Sequence, residues 1–207
     1  MKAIPQCKTC RREGKKLFLK SDRCNSAKCS ILKRKYPPGM HGPKGYPRLS
    51  DYGRQLREKQ CLKRVYNISE KQLKNYFIKA KKIKGNTEQS FLRFLEKRLD
   101  NVVLRIGFFS SRRKARQTVS HGNILVNSRR VDIPSYQVKI DDIIQPSGKQ
   151  SVIEEIKKQI SSQNQESLSS WLSLDKKTLQ IKILKDPEEE DLPKEFETEL
   201  IIAFYSR

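Results

Sequence analysis

The sequence is short of apolar material. Of its 207 residues 35% are hydrophobic and 33% charged, with one Trp and two His. Small cores under a large surface are expected from such a composition. No apolar run approaches the ~20 residues of a membrane-spanning helix. Residues 1–6 lack a signal-peptide core, and neither a lipidation signal nor a Lys-rich helix with an aromatic face suggests a membrane surface. An intracellular protein is therefore expected, in which five cysteines are not presumptive disulfides. His41 has no second histidine or nearby carboxylate in sequence, which argues against a catalytic or metal role and leaves turn stabilisation or RNA stacking. Acid is scarcest of all before residue 151, where 37 Lys and Arg face 11 Asp and Glu, whereas residues 151–207 hold 8 against 12. A formal net charge of +22 exceeds what solubility asks and points to a phosphate-rich partner, nucleic acid by default, gripped by the first three quarters of the chain.

Four cysteines fall in two close pairs, Cys7-x2-Cys10 and Cys24-x4-Cys29. Such pairs let each bind one side of a tetrahedral ion while the intervening loop folds back, the geometry of a structural zinc site with four thiolates. An iron–sulfur cluster, or disulfide or redox chemistry, is the alternative. With all ligands from protein no position is left for catalysis, and the metal's work would be to fold a segment with few apolar residues beyond Leu17, Phe18 and Leu19. Cys61 lies apart and reads as a half-buried helix residue. The run from Tyr36 to Pro47 is too rich in Pro and Gly for a regular element.

Helices are expected next. Ser50-Asp51 caps one that runs to about Val65, and Ser69 with Gln72 forms a capping box for another with Leu73, Phe77 and Ala80 on one side. Its lysines 71, 74, 79, 81 and 82 form a basic surface suited to phosphates. Gly85 closes it. From Phe91 to Ile106 one helix is predicted, with Phe91, Leu92, Leu95, Leu99, Val102, Val103 and Ile106 in a stripe of about 120°. Gly107 ends it, Ser110 or Ser111 caps the following helix, and Gly122 sits where a left-handed residue is wanted. On that second helix Ala115, Thr118 and Val119 share the packing side, while Arg113, Arg116, Gln117 and Ser120 share another. Ile124 to Val126 and Val131 to Ile133 read as a hairpin around Asn127-Ser128, with Tyr136, Val138, Ile140, Ile143 and Ile144 completing a small sheet. Ile153 to Gln165 reads as a polar, helix-like linker. Trp171 to Asp175 with the alternation Leu179, Ile181, Ile183 reads as one strand and Leu200 to Tyr205 as another, joined through the acidic turn Asp186 to Asp191, a pair too small to stand alone and expected to pack on the helices before residue 91.

The predicted fold class is α+β. A mainly helical N-terminal domain carries a zinc-binding segment and a C-terminal β-hairpin packed on it, and holds an inserted RNA-binding module of two helices and a short antiparallel sheet. The boundaries are 1–48 for the zinc segment and Pro/Gly loop, 49–90 with 160–207 for the helical domain, and 91–155 for the module.

Arg98-Leu99-Asp100-Asn101-Val102-Val103 and Ser110 to Gln117 closely resemble the RNA-binding module named after ribosomal protein S-four. That resemblance implies that Arg112, Arg113, Arg116, Gln117, His121 and Asn123 face RNA. Outside the module, Arg11 to Gly14, Pro37 to Gly42, Arg48 to Gly53, Gln55 to Gln60, Trp171 to Asp175 and Phe204 to Arg207 are similar to the bacterial-type small-subunit S-four family, in the family's order. The likeness implies a structural, non-enzymatic constituent of the small ribosomal subunit, cytoplasmic, or in an organelle's ribosome. It would bind the five-way junction of small-subunit rRNA, nucleate the subunit body, line the messenger entry channel and influence accuracy. Its implied neighbours are ribosomal proteins S-three and S-five. Cys7, Cys10, Cys24 and Cys29 match the ligands of members that keep one structural zinc, and Lys44 and Arg48 fall in the loop facing incoming mRNA. Arg57, Lys59, Lys71, Lys74, Lys81 and Arg98 are further expected rRNA contacts. The alternative is a free-standing RNA-binding or ribosome-associated factor with the same module; a modifying enzyme would need a catalytic domain for which little chain remains. Lys2 to Gln6 departs from the family's lead before the first cysteine, and Asn127-Ser128 replaces the commoner Asn-Gly turn. The acidic stretch Asp186 to Asp191 is unusual and better suited to solvent or a basic protein.

Overall fold

A computed structural model describes residues 5–20, 22–148, 150–161 and 169–207. In chain order the elements are α1 (Gln6–Glu13), α2 (Asp22–Asn25), α3 (Ser30–Lys33), α4 (Asp51–Val65), α5 (Glu70–Lys81), α6 (Thr87–Glu96), α7 (Leu99–Arg105) and α8 (Arg112–Ser120). After them come β1 (Ile124–Val126), β2 (Arg129–Arg130), β3 (Ile143–Pro146), α9 (Gln150–Ser161), β4 (Leu172–Asp175), β5 (Gln180–Ile183) and α10 (Thr198–Tyr205). The fold is α+β, and the chain divides into two compact units, residues 1–74 with 195–207 and residues 75–194. No helix among the described residues is long and apolar enough to cross a membrane.

In the first unit the expected caps are in place. Ser50 Oγ accepts from the Gly53 N–H, and Ser69 and Gln72 bond reciprocally through side chain and backbone at 3.3 and 3.4 Å. The core is Cys61, Leu62, Tyr66, Leu73, Phe196 and Ile201. Residues 200–205 are helical, which corrects the expected strand. A six-residue apolar run does not reveal its own period. In this unit its neighbour is a helix: α10 packs along α4, buries Ile201 completely and stacks Phe204 near Tyr52, with ring centroids 5.7 Å apart.

Ion pairs bind this unit where apolar contacts are few. Glu13, its side chain 1% exposed, pairs with both Arg57 and Arg64, and Lys15 pairs with Glu58, so the end of α1 is tied to α4. Glu70 accepts from Lys59, Lys63 and Tyr205 at 2.7, 3.0 and 2.8 Å. Burial alone would raise its carboxyl, but these three donors overcome it and hold the group down at about 2. A depressed carboxyl contributes stability that is complete above its unfolded value, 4.5, and lost as pH falls toward 2. With the side chain 44% exposed, screening limits the effect to about 1 kcal/mol. Thermal unfolding of wild type and Glu70→Gln should therefore differ at pH 6 and converge by about pH 2; a gap independent of pH would refute the linkage. Cys61, 3% exposed, is pushed up to about 11 by burial and by Glu58, which makes it an inert core thiol.

In the second unit the single helix expected over 91–106 is two, α6 and α7. Lys97 and Arg98 leave the helix because the backbone here pairs with 136–138: Leu99 N–H donates to Tyr136 O and Val138 N–H to Lys97 O, with Arg98 bridging Gln137. The apolar stripe survives, and all seven of its residues are buried. Gly122 has φ +67, as a left-handed C-terminal residue requires. The hairpin turn Asn127-Ser128 has φ of +49 and +64, so Ser128 accepts the left-handed geometry usually left to glycine. Asn127 compensates by donating to Asp142 and accepting from the Ile143 N–H at 2.8 and 2.9 Å. The second strand is Arg129–Arg130 rather than 131–133.

The sheet is antiparallel with order β2-β1-β3-β5-β4, and Ile144 stands opposite both Val126 and Ile181. The stretch from Trp171 to Ile183, expected as one strand of a pair with 200–205 on the helical domain, is instead the hairpin of β4 and β5, which extends the module's sheet. Without it β3 would be an open edge, and Trp171, Leu172, Leu179, Ile181 and Ile183 would lack the core formed by α7, α8, Val138 and Ile144. The stretch read as a polar linker includes α9, which buries Ile156 and Ile160 in the same core; residues 162–165 of that reading lie outside the described residues. The returning piece of the first compact unit begins at residue 195, and the second unit begins at 75.

Candidate nucleic-acid interface

The sequence Arg98 to Asn101 builds a polar base beneath the basic face of α8. Glu96 is fully buried and takes the Arg105 guanidinium on both oxygens at 2.9 Å. It also accepts from Asn101 Nδ2 at 2.7 Å. Asn101, itself fully buried, turns its Oδ1 outward to Arg112 Nε and Nη2 at 3.1 and 2.7 Å. Only this amide orientation satisfies both neighbours, so Glu96 fixes Asn101 and Asn101 fixes Arg112. Asp100 lies one residue earlier. Its carboxylate takes Arg98 bidentately at 3.0 and 2.7 Å and reaches Arg116 Nη1 at 3.5 Å. Two α8 arginines are thereby pre-oriented by buried acceptors, which spares the rotamer entropy that binding would otherwise cost.

Arg113, Gln117 and His121 are exposed on α8 and just beyond it, and Asn123 is half-buried at the start of β1. Lys114, beside them, pairs with Glu155 of α9, which marks one border of the face. Arg130 belongs to this surface and was not among the residues singled out from sequence. Arg130 Nη2 donates to His121 O at 2.8 Å, and its guanidinium lies over Gly122, where a Cβ would come within 2.1 Å of Nε. Two adjacent arginines straight after the turn were the available signal, hidden by placing the strand two residues late.

Two expected contacts are corrected. Arg98 is 0% exposed and committed to Asp100 and to the Tyr76 hydroxyl at 2.9 Å, so it supports the base and presents no surface. Lys59 is 5% exposed, bonded to Glu70, with its ammonium 4.2 Å from the Phe204 ring centre, so it closes α10 onto α4. Arg57 is half-buried against Glu13. Lys71, Lys74 and Lys81 are exposed on α5.

In the first unit Lys44 and Arg48 are exposed on the Pro/Gly loop. The loop is ordered by Arg11, which donates to Tyr36 O and Pro37 O at 3.0 and 3.1 Å while its guanidinium lies 4.8 Å from the Tyr36 ring centre. Gly42 is required because a Cβ there would meet Pro37 O at 2.1 Å.

Cys7, Cys10, Cys24 and Cys29 line one small cavity with Leu19, Lys20 and Arg23, and all four are free thiols. The Lys20 N–H donates to Cys24 Sγ at 3.3 Å. Burial pushes the Cys10 thiol up, and the other three cysteines push the same way against a hydrogen bond to Leu17. Among the described residues, no group of three or more His, Cys, Asp or Glu is arranged to hold a metal ion. The donor set and its common cavity fit a four-thiolate ion in kind.

Comparison with known proteins covers both units. Residues 3–96 match the ribosomal protein S4/S9 N-terminal domain and residues 97–144 match the S4 domain. The chain is 50% identical over 203 residues to the small ribosomal subunit protein uS4 of Thermus thermophilus, covering 98% of this chain and 97% of that one. It is 47% identical to uS4 of Thermodesulfovibrio yellowstonii and 46% identical to that of Nitrosospira multiformis, again over 203 residues and at least 96% of each chain.

Proposed function

Since the chain belongs to the uS4 family of small ribosomal subunit proteins, a family of structural proteins rather than enzymes, we propose that it is an RNA-binding constituent of the cytoplasmic small subunit. It binds small-subunit rRNA early, nucleates assembly of the subunit body, and afterwards lines the mRNA entry channel through Lys44 and Arg48. Beside ribosomal proteins S-five and S-three it contributes to translational accuracy. The observation that supports the reading best is the α8 face, where Arg112 and Arg116 are held from below by Asn101 and Asp100 while Arg113, Gln117 and His121 stay exposed. Cations fixed on a rigid helix suit phosphates whose spacing is set by RNA shape.

The acidic base beneath α8 does not cancel this face. Asp100 is already neutralised by Arg98 and Glu96 by Arg105, so the net charge presented to a partner is that of the outer arginines. Lys71, Lys74 and Lys81 on α5 offer a second row of cations. Zinc is the metal we assign to the four cysteines, since four thiols suit it. When bound it would link α1 to the segment around α2 and α3, with the Lys20 N–H on the Cys24 sulfur as an outer bond.

Full-length protein carrying Arg113→Ala and Arg116→Ala tests the RNA assignment against a small-subunit rRNA transcript. Asp100 keeps Arg98 in that variant, so the fold survives. Losing two phosphate contacts should lower affinity by roughly 10–100-fold at moderate salt and reduce the slope of log affinity against log salt by about 1.5. An unchanged slope would remove α8 from the interface.

A further inference from the structure

Phe18 is a large apolar residue of the cysteine segment that the fold leaves exposed. It is 54% exposed and its φ is +48, a left-handed conformation that is a true outlier for a bulky side chain. Its neighbours explain why it points out. Leu17 is buried, Leu19 lines the cysteine cavity, and the Lys20 N–H is bonded to Cys24 Sγ, so the strained residue is pinned from both sides. Among the described residues, two other aromatic rings are comparably exposed, and both are engaged. Tyr46 donates its hydroxyl to Arg11 O at 2.6 Å, and Tyr52 packs by Phe204 and under the Arg207 guanidinium. Phe18 has only a cation beside it, Lys16 Nζ at 5.6 Å from the ring centre. Lys15, Lys20 and Arg23 in the same segment are exposed.

An exposed ring held in a strained conformation among cations has the form of a stacking platform, with bases for the backbone and an aromatic face for the nucleobase. We infer that Phe18 is a binding site for one unpaired nucleobase of the RNA partner, stacked on the ring while Lys16 and its neighbours meet the flanking phosphates. This rests on the RNA-binding reading above and adds to it a contact outside the α8 face. An RNA base is favoured over an apolar protein surface because Lys16 lies beside the ring and Lys20 and Arg23 of the same basic segment are exposed. Stacking tolerates any base, so the site reads an unpaired nucleotide by position and not by identity.

The test uses full-length protein and a small-subunit rRNA transcript. Phe18→Gly suits the positive φ, so its thermal stability should equal or exceed wild type. Its affinity should nevertheless fall about tenfold, the ~1.4 kcal/mol of one base–aromatic stack, with the salt slope unchanged because no phosphate contact is removed. Phe18→Tyr should bind as wild type, and the indole of Phe18→Trp should be quenched on binding, against the buried Trp171 as internal reference. Wild-type affinity in Phe18→Gly, an equal loss in Phe18→Tyr, or an unquenched Phe18→Trp overturns the proposal. If Phe18→Gly is less stable than wild type, the Tyr and Trp variants decide. Failure of the broader reading looks different, since the wild-type protein would then not bind the transcript.

Discussion

Replacing Arg98 with Met should be among the most damaging single changes in the second unit, costing about 3–5 kcal/mol, which corresponds to a fall in Tm of roughly 10–20 °C. The mechanism is the charge left behind. Arg98 and Asp100 have side chains 0% and 3% exposed, so removing the guanidinium strands a buried carboxylate beside the Tyr76 hydroxyl. Arg116 at 3.5 Å is a single long contact from a partly exposed position and cannot replace a bidentate pair. Removing both charges, Arg98→Met with Asp100→Leu, should be less harmful than Arg98→Met alone, because an apolar pair of similar volume leaves no unpaired charge. Denaturant unfolding of the two variants decides it. If Arg98→Met unfolds within ~0.5 kcal/mol of wild type, the pair is not a keystone of the unit. The double variant should also bind rRNA more weakly than its stability suggests, since Arg116 loses its orienting partner.

The second large effect concerns the cysteine segment. Its buried residues are Thr9, Cys10, Leu17, Cys24, Cys29, Pro37 and Gly42, with the three helices α1 to α3 of eight, four and four residues. Leu17, among the described residues the sole large aliphatic side chain buried there, is worth about 2 kcal/mol, while helices this short are unstable by themselves. Structural zinc supplies of order 10 kcal/mol in comparable small sites. Purified protein should hold about one zinc per chain, and Cys24→Ser should lose it. Trypsin should then cut residues 5–35 rapidly while α4 to α10 remain protected. Iron with visible absorbance, or a Cys24→Ser protein as resistant as wild type, would remove zinc from the account. The salt links of Glu13 to Arg57 and Arg64 hold only the end of α1, so they cannot rescue the loops beyond it.

The local signals that proved reliable share a physical feature: each is decided within about one helical turn. Ser50, the Ser69 and Gln72 box, and Gly122 mark ends because a side chain or a missing Cβ settles the matter between residues three or four apart. The stripe from Phe91 to Ile106 likewise named its buried face. Net charge and the motif around Arg98 were enough to indicate a nucleic-acid partner and a family.

What sequence could not settle was anything that depended on a distant neighbour. The stripe carries no mark of the break at Lys97 and Arg98, because the pairing that makes it comes from residues 136–138. Leu200 to Tyr205 is apolar enough for strand or helix, and α4 chose helix. The hairpin of β4 and β5 went to β3, where an open edge and a shared core were waiting. Charge also misled at short range. Arg98 and Lys59 look like surface cations until the fold puts Asp100 and Glu70 beside them and shuts out water. Composition and local spacing thus determined that this chain is a basic α+β protein with a helix-borne cationic face. The tertiary structure alone decided which cations make that face and which are consumed within, because burial turns a pairing partner from optional into obligatory.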